Sequence, residues 1–183
     1  MEYLRNEILL LRPPEPEDLD CLYRWENDPE IWLLSGTLVP FSRHMLRIYL
    51  ESAGKDLYEQ KQLRLMIEAP GQERPLGAID LFDFDPYHRR AGVGILIAEK
   101  SERRKGHARE ALNLLMAYCF SPLGLHQLWC NIAPANEASL KLFSAAGFIL
   151  CGKKEQWIFN GRGFEDEWLL QALDPALPRK ESH

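Results

Sequence analysis

Apolar residues in the first third of the chain recur at helical spacing. A short apolar strand at 8–11 precedes a proline-rich turn and a helix that ends near Asn27. A second helix is predicted from the cap Ser42 to about Gly54, and the stretch between the two helices, 29–40, is predicted to be irregular. The inward face of the second helix is predicted to carry Met45, Leu46, Tyr49 and Leu50.

The period then changes from helical to alternating. Leu63, Leu65 and Ile67 alternate with Arg64, Met66 and Glu68, which predicts a half-buried strand. Two further strands are predicted at 76–84 and 91–98, each reached through a turn rich in proline and charge. Three strands joined by short turns indicate an antiparallel meander.

The second half of the chain predicts a strand, helix, strand unit. A helix at 106–120 separates the strand 91–98 from a strand at 125–133, a connection that requires parallel pairing. A second amphipathic helix follows at 136–146, with Ala138, Leu142, Phe143 and Ala146 inward. Two last strands at 148–159 and 164–173 flank the turn Asn160–Gly161. The fold class is therefore mixed α/β, as one domain over 1–173 with a flexible tail at 174–183.

Composition excludes several classes of protein. The chain has 183 residues and a formal net charge of -5, which argues against a general nucleic-acid binder. It has no apolar run of the roughly 20 residues that cross a bilayer, and its first residues lack the apolar core of a secretory signal, so a cytoplasmic protein is expected. Four widely spaced cysteines are expected to be reduced packing residues, and no motif predicts a metal site.

One short segment carries a concentration of charge. Five cations and one acid stand between Lys100 and Arg109, after an apolar strand and at the start of a predicted helix. A helix start exposes unpaired N–H groups and a partial positive charge, and Gly106 lets an anion approach the backbone closely. The sequence favours a phosphate cradle here, with a solvated basic face as the alternative. P-loop and dinucleotide-binding fingerprints are absent from the sequence.

The segments around this island resemble the GCN5-related N-acetyltransferases. Arg103-Arg104-Lys105-Gly106-His107-Ala108 is similar to the Arg/Gln-x-x-Gly-x-Gly/Ala signature of that family. The run from Asn136 to Phe148 resembles a second family segment, Asn-x-x-Ser/Ala-x-x-Leu-Tyr/Phe-x-x-x-Gly-Phe. Trp25 to Glu30 is similar to the branch that acetylates ribosomal-protein amino termini and polyamines. The resemblance implies a central mixed sheet of about seven strands in which the fourth and fifth splay apart.

It also implies acetyl-coenzyme A as the cosubstrate. The pantetheine arm would pair with the backbone of Ile95, Leu96 and Ile97, and Asn136 would hydrogen-bond the coenzyme, although a helix cap explains Asn136 equally well. The pyrophosphate would lie on the N–H groups of the basic segment. The residues expected to bind the coenzyme there are Arg103, Arg104, Lys105, Gly106, His107, Ala108 and Arg109.

The catalytic groups are less well defined. Many relatives protonate the departing thiolate with a tyrosine, but the matching residue is Phe143, so Ser139 becomes the candidate acid. Glu26 is a candidate base, and further candidates are Asp80, Asp83, Asp85 and His88. Their acidity favours a cationic acceptor, a small-molecule amine such as a polyamine or a peptide amino terminus.

Other functions remain open at this point. A non-catalytic module that binds acyl-coenzyme A would keep the basic segment and lack an acid at Phe143. An adaptor that binds protein or nucleic acid through the basic segment is a further alternative. The favoured prediction is an N-acetyltransferase with neither nucleic acid nor membrane as partner, and a homodimer is compatible with it.

Overall fold

A computed structural model describes residues 2–35, 38–52, 56–72 and 74–177. The helices are α1 (Leu19–Glu26), α2 (Pro29–Ser35), α3 (Arg43–Ser52), α4 (Leu57–Gln60), α5 (His107–Phe120) and α6 (Glu137–Ala145). The strands are β1 (Leu10–Arg12), β2 (Leu63–Glu68), β3 (Gly77–Asp85), β4 (Arg90–Ile97), β5 (Gln127–Ile132), β6 (Ile149–Phe159) and β7 (Phe164–Leu173). Short 3-10 turns lie at Glu2–Leu4, Pro16–Asp18 and Lys100–Glu102.

All seven strands form one sheet in the order β1-β2-β3-β4-β5-β7-β6. Strands β1 to β4 pair antiparallel, β4 and β5 pair parallel, and β7 lies antiparallel between β5 and β6. The predicted meander, the parallel crossover through α5 and the closing hairpin are confirmed. Helix α5 makes the crossover needed for parallel neighbours in one sheet.

One face of the sheet builds the main core with α5 and α6. Helix α5 buries Ala111, Leu112, Leu115 and Cys119 completely. The opposing strand residues include Leu65 and Ile67 of β2 and Ile79 of β3, none more than 1% exposed. Helix α6 adds Phe143. This core therefore fixes the start of α5 against the end of β4.

The opposite face carries a second, smaller core under α1 and α3. It consists of Cys21, Leu22, Trp25, Ile31, Leu46, Leu50, Met66 and Ala78. Met66 is fully buried here, so the prediction that β2 is half-buried was wrong at that position. The alternation itself holds, because Met66 points away from Leu65, but two helices cover the face that was expected to meet water.

Several local predictions need correction. Pro29–Ser35 is a helix, where an irregular stretch was predicted, and α4 was not predicted. Met45 is 57% exposed because the buried stripe of α3 consists of Leu46 and Leu50. Ala138 lies on the exposed side of α6.

The four cysteines differ in burial. Cys21, Cys119 and Cys130 are free and buried, whereas Cys151 is free but exposed on β6. Gly54 and the tail beyond residue 177 lie outside the described residues. The domain bounds stay a prediction. Within the described ranges, no helix is both long and apolar enough to span a bilayer.

A buried ion pair joins β1 to the turn that precedes α1. Asp18 is 4% exposed and accepts hydrogen bonds from both terminal nitrogens of Arg12, at 2.7 and 2.9 Å. Its carboxylate also accepts the backbone N–H of Glu15 at 2.8 Å, and Nε of Arg12 donates to Glu68 of β2 at 2.8 Å. The hydrogen bond to Asp18 raises the pKa of Arg12 above its usual value. The pair thus anchors the α1 side of the molecule to the sheet.

Replacing Asp18 by asparagine should therefore destabilise the fold. Asp18→Asn keeps the shape but leaves the Arg12 guanidinium with one charged partner fewer in a site where water is scarce. We expect the free energy of unfolding in urea to fall by on the order of 3 kcal/mol. Asp20→Asn is the control, because Asp20 pairs with Arg43 on the surface and its side chain is 81% exposed. Equal midpoints for the two variants would show that the Arg12–Asp18 pair is dispensable.

Candidate functional site

The parallel strands β4 and β5 stay together for only three residue pairs. These are Arg90 with Gln127, Ala91 with Leu128, and Gly92 with Trp129. Beyond Gly92, β4 continues to Ile97 paired with β3 alone, and β5 continues to Ile132 paired with β7 alone. The predicted divergence of the fourth and fifth strands is confirmed. It opens a cleft at the carboxyl ends of the two strands.

Aromatic packing marks the point where the strands part. The ring of Phe82 lies against the edge of Trp129, with centroids 5.0 Å apart and an interplanar angle of 84°. The same ring covers Gly92 so closely that any Cβ at that position would collide with it. A side chain at the last residue of β4 that pairs with β5 would therefore displace the Phe82 ring.

The free edge of β4 offers backbone groups to the cleft. The N–H of Ala98 donates to the carbonyl of Leu76, the residue before β3. Successive residues of a strand direct their backbone groups to opposite edges, so those of Ile95 and Ile97 face the open edge. Leu96 instead directs its backbone toward β3, where it pairs with Ala78. Arg103 already donates to the carbonyl of Ile97 at 2.9 Å. Arg103 therefore ties the basic loop to the end of β4.

Helix α5 begins at this same end of the cleft. Gly106, at φ +90°, is the residue before the helix, and the first helical hydrogen bond runs from the N–H of Glu110 to its carbonyl. In the described part of the chain, the N–H groups of His107, Ala108 and Arg109 have no hydrogen-bond acceptor. Space around Gly106 is open, since an added Cβ would meet no atom within 4 Å. An anion can thus reach these N–H groups.

Some charged residues of the basic segment form ion pairs within the protein and others do not. Glu102 accepts from Lys105 at 2.9 Å and lies 3.2 Å from Nε2 of His107. The hydrogen bond from Lys105 lowers the pKa of Glu102. Arg104 and Arg109 are exposed and make no ion pair within the described ranges. These two arginines hold the positive charge that an incoming anion meets.

The α6 segment approaches the cleft from the end of β5. Asn136 caps α6, because its Oδ1 accepts the backbone N–H of Ser139 at 3.1 Å. The cap leaves the Asn136 amide nitrogen available as a donor, so the capping and coenzyme-binding roles are compatible. Ser139 lies in the first turn and is half-buried.

The ring of Phe143 belongs to the main core. It is 3% exposed and packs at 90° to the ring of Phe148, with centroids 5.0 Å apart. A ring with no hydroxyl cannot supply a proton. The acid must therefore come from a different group, and Ser139, the residue predicted for this role, lies about one turn earlier on the same helix.

A pocket of about 560 Å³ lies on the sheet face opposite α5. Its walls come from β3, β4, β5, β6 and β7. The lining residues are Asp83, Asp85, Arg90, Gln127, Trp129, Asn131, Cys151, Lys154, Leu169 and Gln171. The pocket includes the point where β4 and β5 part, so a molecule bound in it can approach the cleft from the side away from the basic loop.

Glu26 and Asp80 share one cation. Arg64 bonds to Glu26 at 2.5 Å and to Asp80 at 2.7 Å, and its guanidinium lies 5.8 Å from the ring centre of Tyr49. The pKa of Arg64 is raised because its two carboxylate partners outweigh the opposing effect of burial. Glu26 thus joins α1 to β2 through an ion pair. This contact weakens the hypothesis that Glu26 is the base, which no observation here tests directly.

The remaining carboxylates differ in their partners. Asp85 accepts the backbone N–H of His88 at 2.9 Å and lies 2.7 Å from its ring nitrogen, and these bonds lower the pKa of Asp85. Asp83 is exposed, has φ +49° at a bulge in β3, and has no hydrogen-bonded or ionic partner among the described residues. Asp83 is therefore the pocket carboxylate that remains available to a cationic ligand.

A family model described as an acetyltransferase (GNAT) domain matches residues 9–149. The chain belongs to the GNAT acetyltransferase family. The match spans the sheet up to the start of β6, both α5 and α6, and the cleft between β4 and β5. The match identifies this GNAT protein as an N-acetyltransferase, as the resemblance of its motifs implied. It gives no support to the alternative of a non-catalytic module.

Similar proteins agree with this assignment. A spermidine N(1)-acetyltransferase from Vibrio cholerae is 29% identical over 160 residues, which cover 86% of this chain and 88% of that protein. An uncharacterised N-acetyltransferase, p20 of Bacillus licheniformis, is 28% identical over 81% of this chain and 83% of its own length. A crystal structure of the Vibrio cholerae spermidine N-acetyltransferase with CoA and spermine superimposes with a TM-score of 0.82, at 25% identity over 92% of this chain and 97% of that one.

The structure of this GNAT enzyme adds features that the sequence pattern did not single out. Arg64 was assigned only to the outward side of β2, and Asn131 and Trp129 were treated as ordinary strand residues. A signal for all three was present, because each is a polar or aromatic residue that alternates with apolar residues along a central strand. The roles predicted for the coenzyme-binding residues and for Ser139 stay predictions.

Two substitutions at Gly106 separate the effect of a negative charge at the start of α5 from the effect of losing the glycine backbone. Gly106→Asp and Gly106→Asn impose the same positive φ on a side chain of nearly the same size, so both should lose a similar amount of stability. Only Asp brings a negative charge to the site of the pyrophosphate. We expect acetyl-coenzyme A to raise the melting temperature of the wild type and of Gly106→Asn, but not of Gly106→Asp. Equal shifts in all three proteins would place the ligand elsewhere.

Ser139→Ala tests the acid. If the Ser139 hydroxyl protonates the thiolate, its loss should lower kcat by up to about 10² to 10⁴-fold and leave the KM for acetyl-coenzyme A nearly unchanged. The cap survives, because it uses the backbone N–H of Ser139. Ser144→Ala, at an exposed position on the same helix, is the matched control. A wild-type kcat in Ser139→Ala would assign protonation to water.

Proposed function

We propose that this enzyme transfers the acetyl group of acetyl-coenzyme A to a primary amine of a polyamine. The observation that carries the proposal is the parting of β4 and β5 after Gly92 and Trp129. It joins an anion-binding helix start on one side of the sheet to a pocket with a free carboxylate on the other. Such a cleft suits a reaction in which a polyanionic donor meets a polycationic acceptor.

On the donor side, the chain offers three kinds of contact. The N–H groups of His107 to Arg109 bind the pyrophosphate, and the exposed Arg104 adds charge. Backbone groups of Ile95 pair with the pantetheine arm as an added strand would. The amide nitrogen of Asn136 donates to the same arm. Most of these contacts are made by backbone groups, whose positions are fixed by the fold. The coenzyme is therefore held in line for attack.

On the acceptor side, the pocket combines an aromatic wall with a free carboxylate. Trp129 packs against the methylene chain of the polyamine, and Asp83 attracts an ammonium group. The reacting amine loses its proton to water through the open pocket. The Ser139 hydroxyl gives a proton to the departing thiolate and regains one from the attacking nitrogen, which loses a proton as the amide forms. The similar spermidine N-acetyltransferase, whose crystal structure contains CoA and spermine, supports a polyamine as the acceptor.

The proposal is tested by measuring thiol release from acetyl-coenzyme A with a panel of amines. The panel contains spermidine, spermine, a simple monoamine, amino acids, aminoglycosides and amino-terminal peptides. We expect the highest kcat/KM with a polyamine. A peptide that outperforms every polyamine would replace the proposed acceptor, and no turnover with any amine would overturn the function. The homodimer and the cytoplasmic location stay predictions.

The role of Asp83 is tested by Asp83→Asn. Asparagine tolerates the positive φ as well as aspartate does, so the bulge should persist. We expect the KM for spermidine to rise by roughly two- to five-fold at low salt, with a smaller ratio at high salt, because the attraction is exposed and screened. The KM for the monoamine should not change. A rise in both KM values would indicate a general distortion of the pocket.

A further inference from the structure

The side chain of Asn131 has a feature that the proposed function does not explain. Its Oδ1 is completely buried and has no hydrogen-bond partner within the described residues. Nearly all buried polar atoms in native proteins are paired, so an orphan acceptor in a central strand requires a reason. Gln127 lies four residues before Asn131 on β5, and its side chain is hydrogen-bonded to the side chain of Gln171.

The position of Asn131 supplies that reason. It lies on β5 two residues beyond Trp129, the last residue of β5 that pairs with β4, at a distance of about 7 Å along the strand. It also lines the pocket on the acceptor side. Its immediate neighbours Cys130 and Ile132 point into the main core instead. Asn131 therefore lies where the pocket meets the parting of β4 and β5, and its oxygen is covered there without a protein donor.

We infer that Asn131 is an acceptor-binding residue whose Oδ1, covered in the free protein, is uncovered as the acceptor binds and accepts an N–H of the reacting primary amine. This inference rests on the proposed function, because it names the group that holds the amine. A neutral primary amine has two N–H groups and one lone pair. An acceptor that binds one N–H directs the lone pair away from itself, toward the thioester carbonyl.

The neutrality of the amide is part of the inference. A carboxylate at this position would bind the amine as well, but it would favour the protonated ammonium, which cannot attack. The charged groups that line the pocket are Asp83 and Asp85 of β3, Arg90 of β4 and Lys154 of β6. Asp85 is paired with His88 and Arg90, and Lys154 with Glu167. Asn131 thus provides an uncharged acceptor among charges that are largely neutralised.

Two substitutions separate the parts of this inference. Asn131→Leu removes the acceptor with little change in size, and should lower kcat/KM for the preferred amine by roughly 10- to 100-fold through a higher KM. Asn131→Asp keeps an acceptor oxygen and adds charge. It should leave KM near the wild-type value, lower kcat at neutral pH, and move the pH optimum upward, because the raised pKa of the bound amine requires a higher pH for deprotonation.

A stability measurement gives a readout that does not depend on turnover. Removing an unpartnered buried oxygen should stabilise the free protein, so Asn131→Leu should raise the melting temperature without ligand. Calorimetric titration of spermidine into the complex with CoA should show weaker binding to Asn131→Leu, and Asn113→Leu on the exposed side of α5 is the control. The expected result is a more stable protein that binds the amine less well.

Specific outcomes would overturn the inference. A lower melting temperature in Asn131→Leu, together with unchanged amine kinetics, would mean that the side chain is structural. An Asn131→Asp enzyme as weak in amine binding as Asn131→Leu would mean that no acceptor oxygen is used. If the amine panel identifies an acceptor other than a polyamine, the same variants are measured with that amine. Failure of the wild type with every amine would instead count against the proposed function.

Discussion

The hydrogen-bond ladder between β4 and β5 ends after Gly92 and Trp129, and the arrangement of the site depends on that ending. Had the ladder continued, the backbone of Ile95 would be paired within the protein and the pocket would be closed off from the basic loop. The ring of Phe82 occupies the point of separation, lies over Gly92 and contacts Trp129. A glycine and two aromatic rings thus set where a parallel sheet opens, and an opened parallel sheet exposes backbone donors and acceptors where a ligand can pair with them.

Electrostatics then distinguish the two sides of the opening. On the α5 side, the acid of the basic segment is already engaged by Lys105 and His107, so Arg104 and Arg109 keep their charge available. On the opposite side, Arg64 holds Glu26 and Asp80 together, and His88 holds Asp85. Most carboxylates near the pocket therefore stabilise the structure, and Asp83 remains for recognition. A count of charges along the chain would treat all of these carboxylates as groups that bind the acceptor.

The sequence predicted the local structure of the basic segment and the start of α5 far better than the assembly of the acceptor pocket. The cradle is formed by contiguous residues, from the end of β4 through Gly106 into α5, and local rules for helix starts and glycine apply to it directly. The acceptor pocket is assembled from five strands, and its residues are separated by up to 88 positions, from Asp83 to Gln171. Whether Glu26 is free or paired depends on Arg64, 38 residues away. The burial of Met66 likewise depends on α1 and α3, which no pattern within β2 can reveal.

The division of the apolar interior into two cores has a consequence for how such an enzyme changes over evolutionary time. The core under α5 and α6 holds the cradle, whereas the core under α1 and α3 lies on the opposite face of the sheet, which also carries the pocket. The sheet separates them, so substitutions on opposite faces that share no contacts should couple weakly. The residues that line the pocket can therefore change, and alter the choice of amine, while the donor site keeps its geometry. A single scaffold of this kind can give rise to enzymes with one donor and many acceptors.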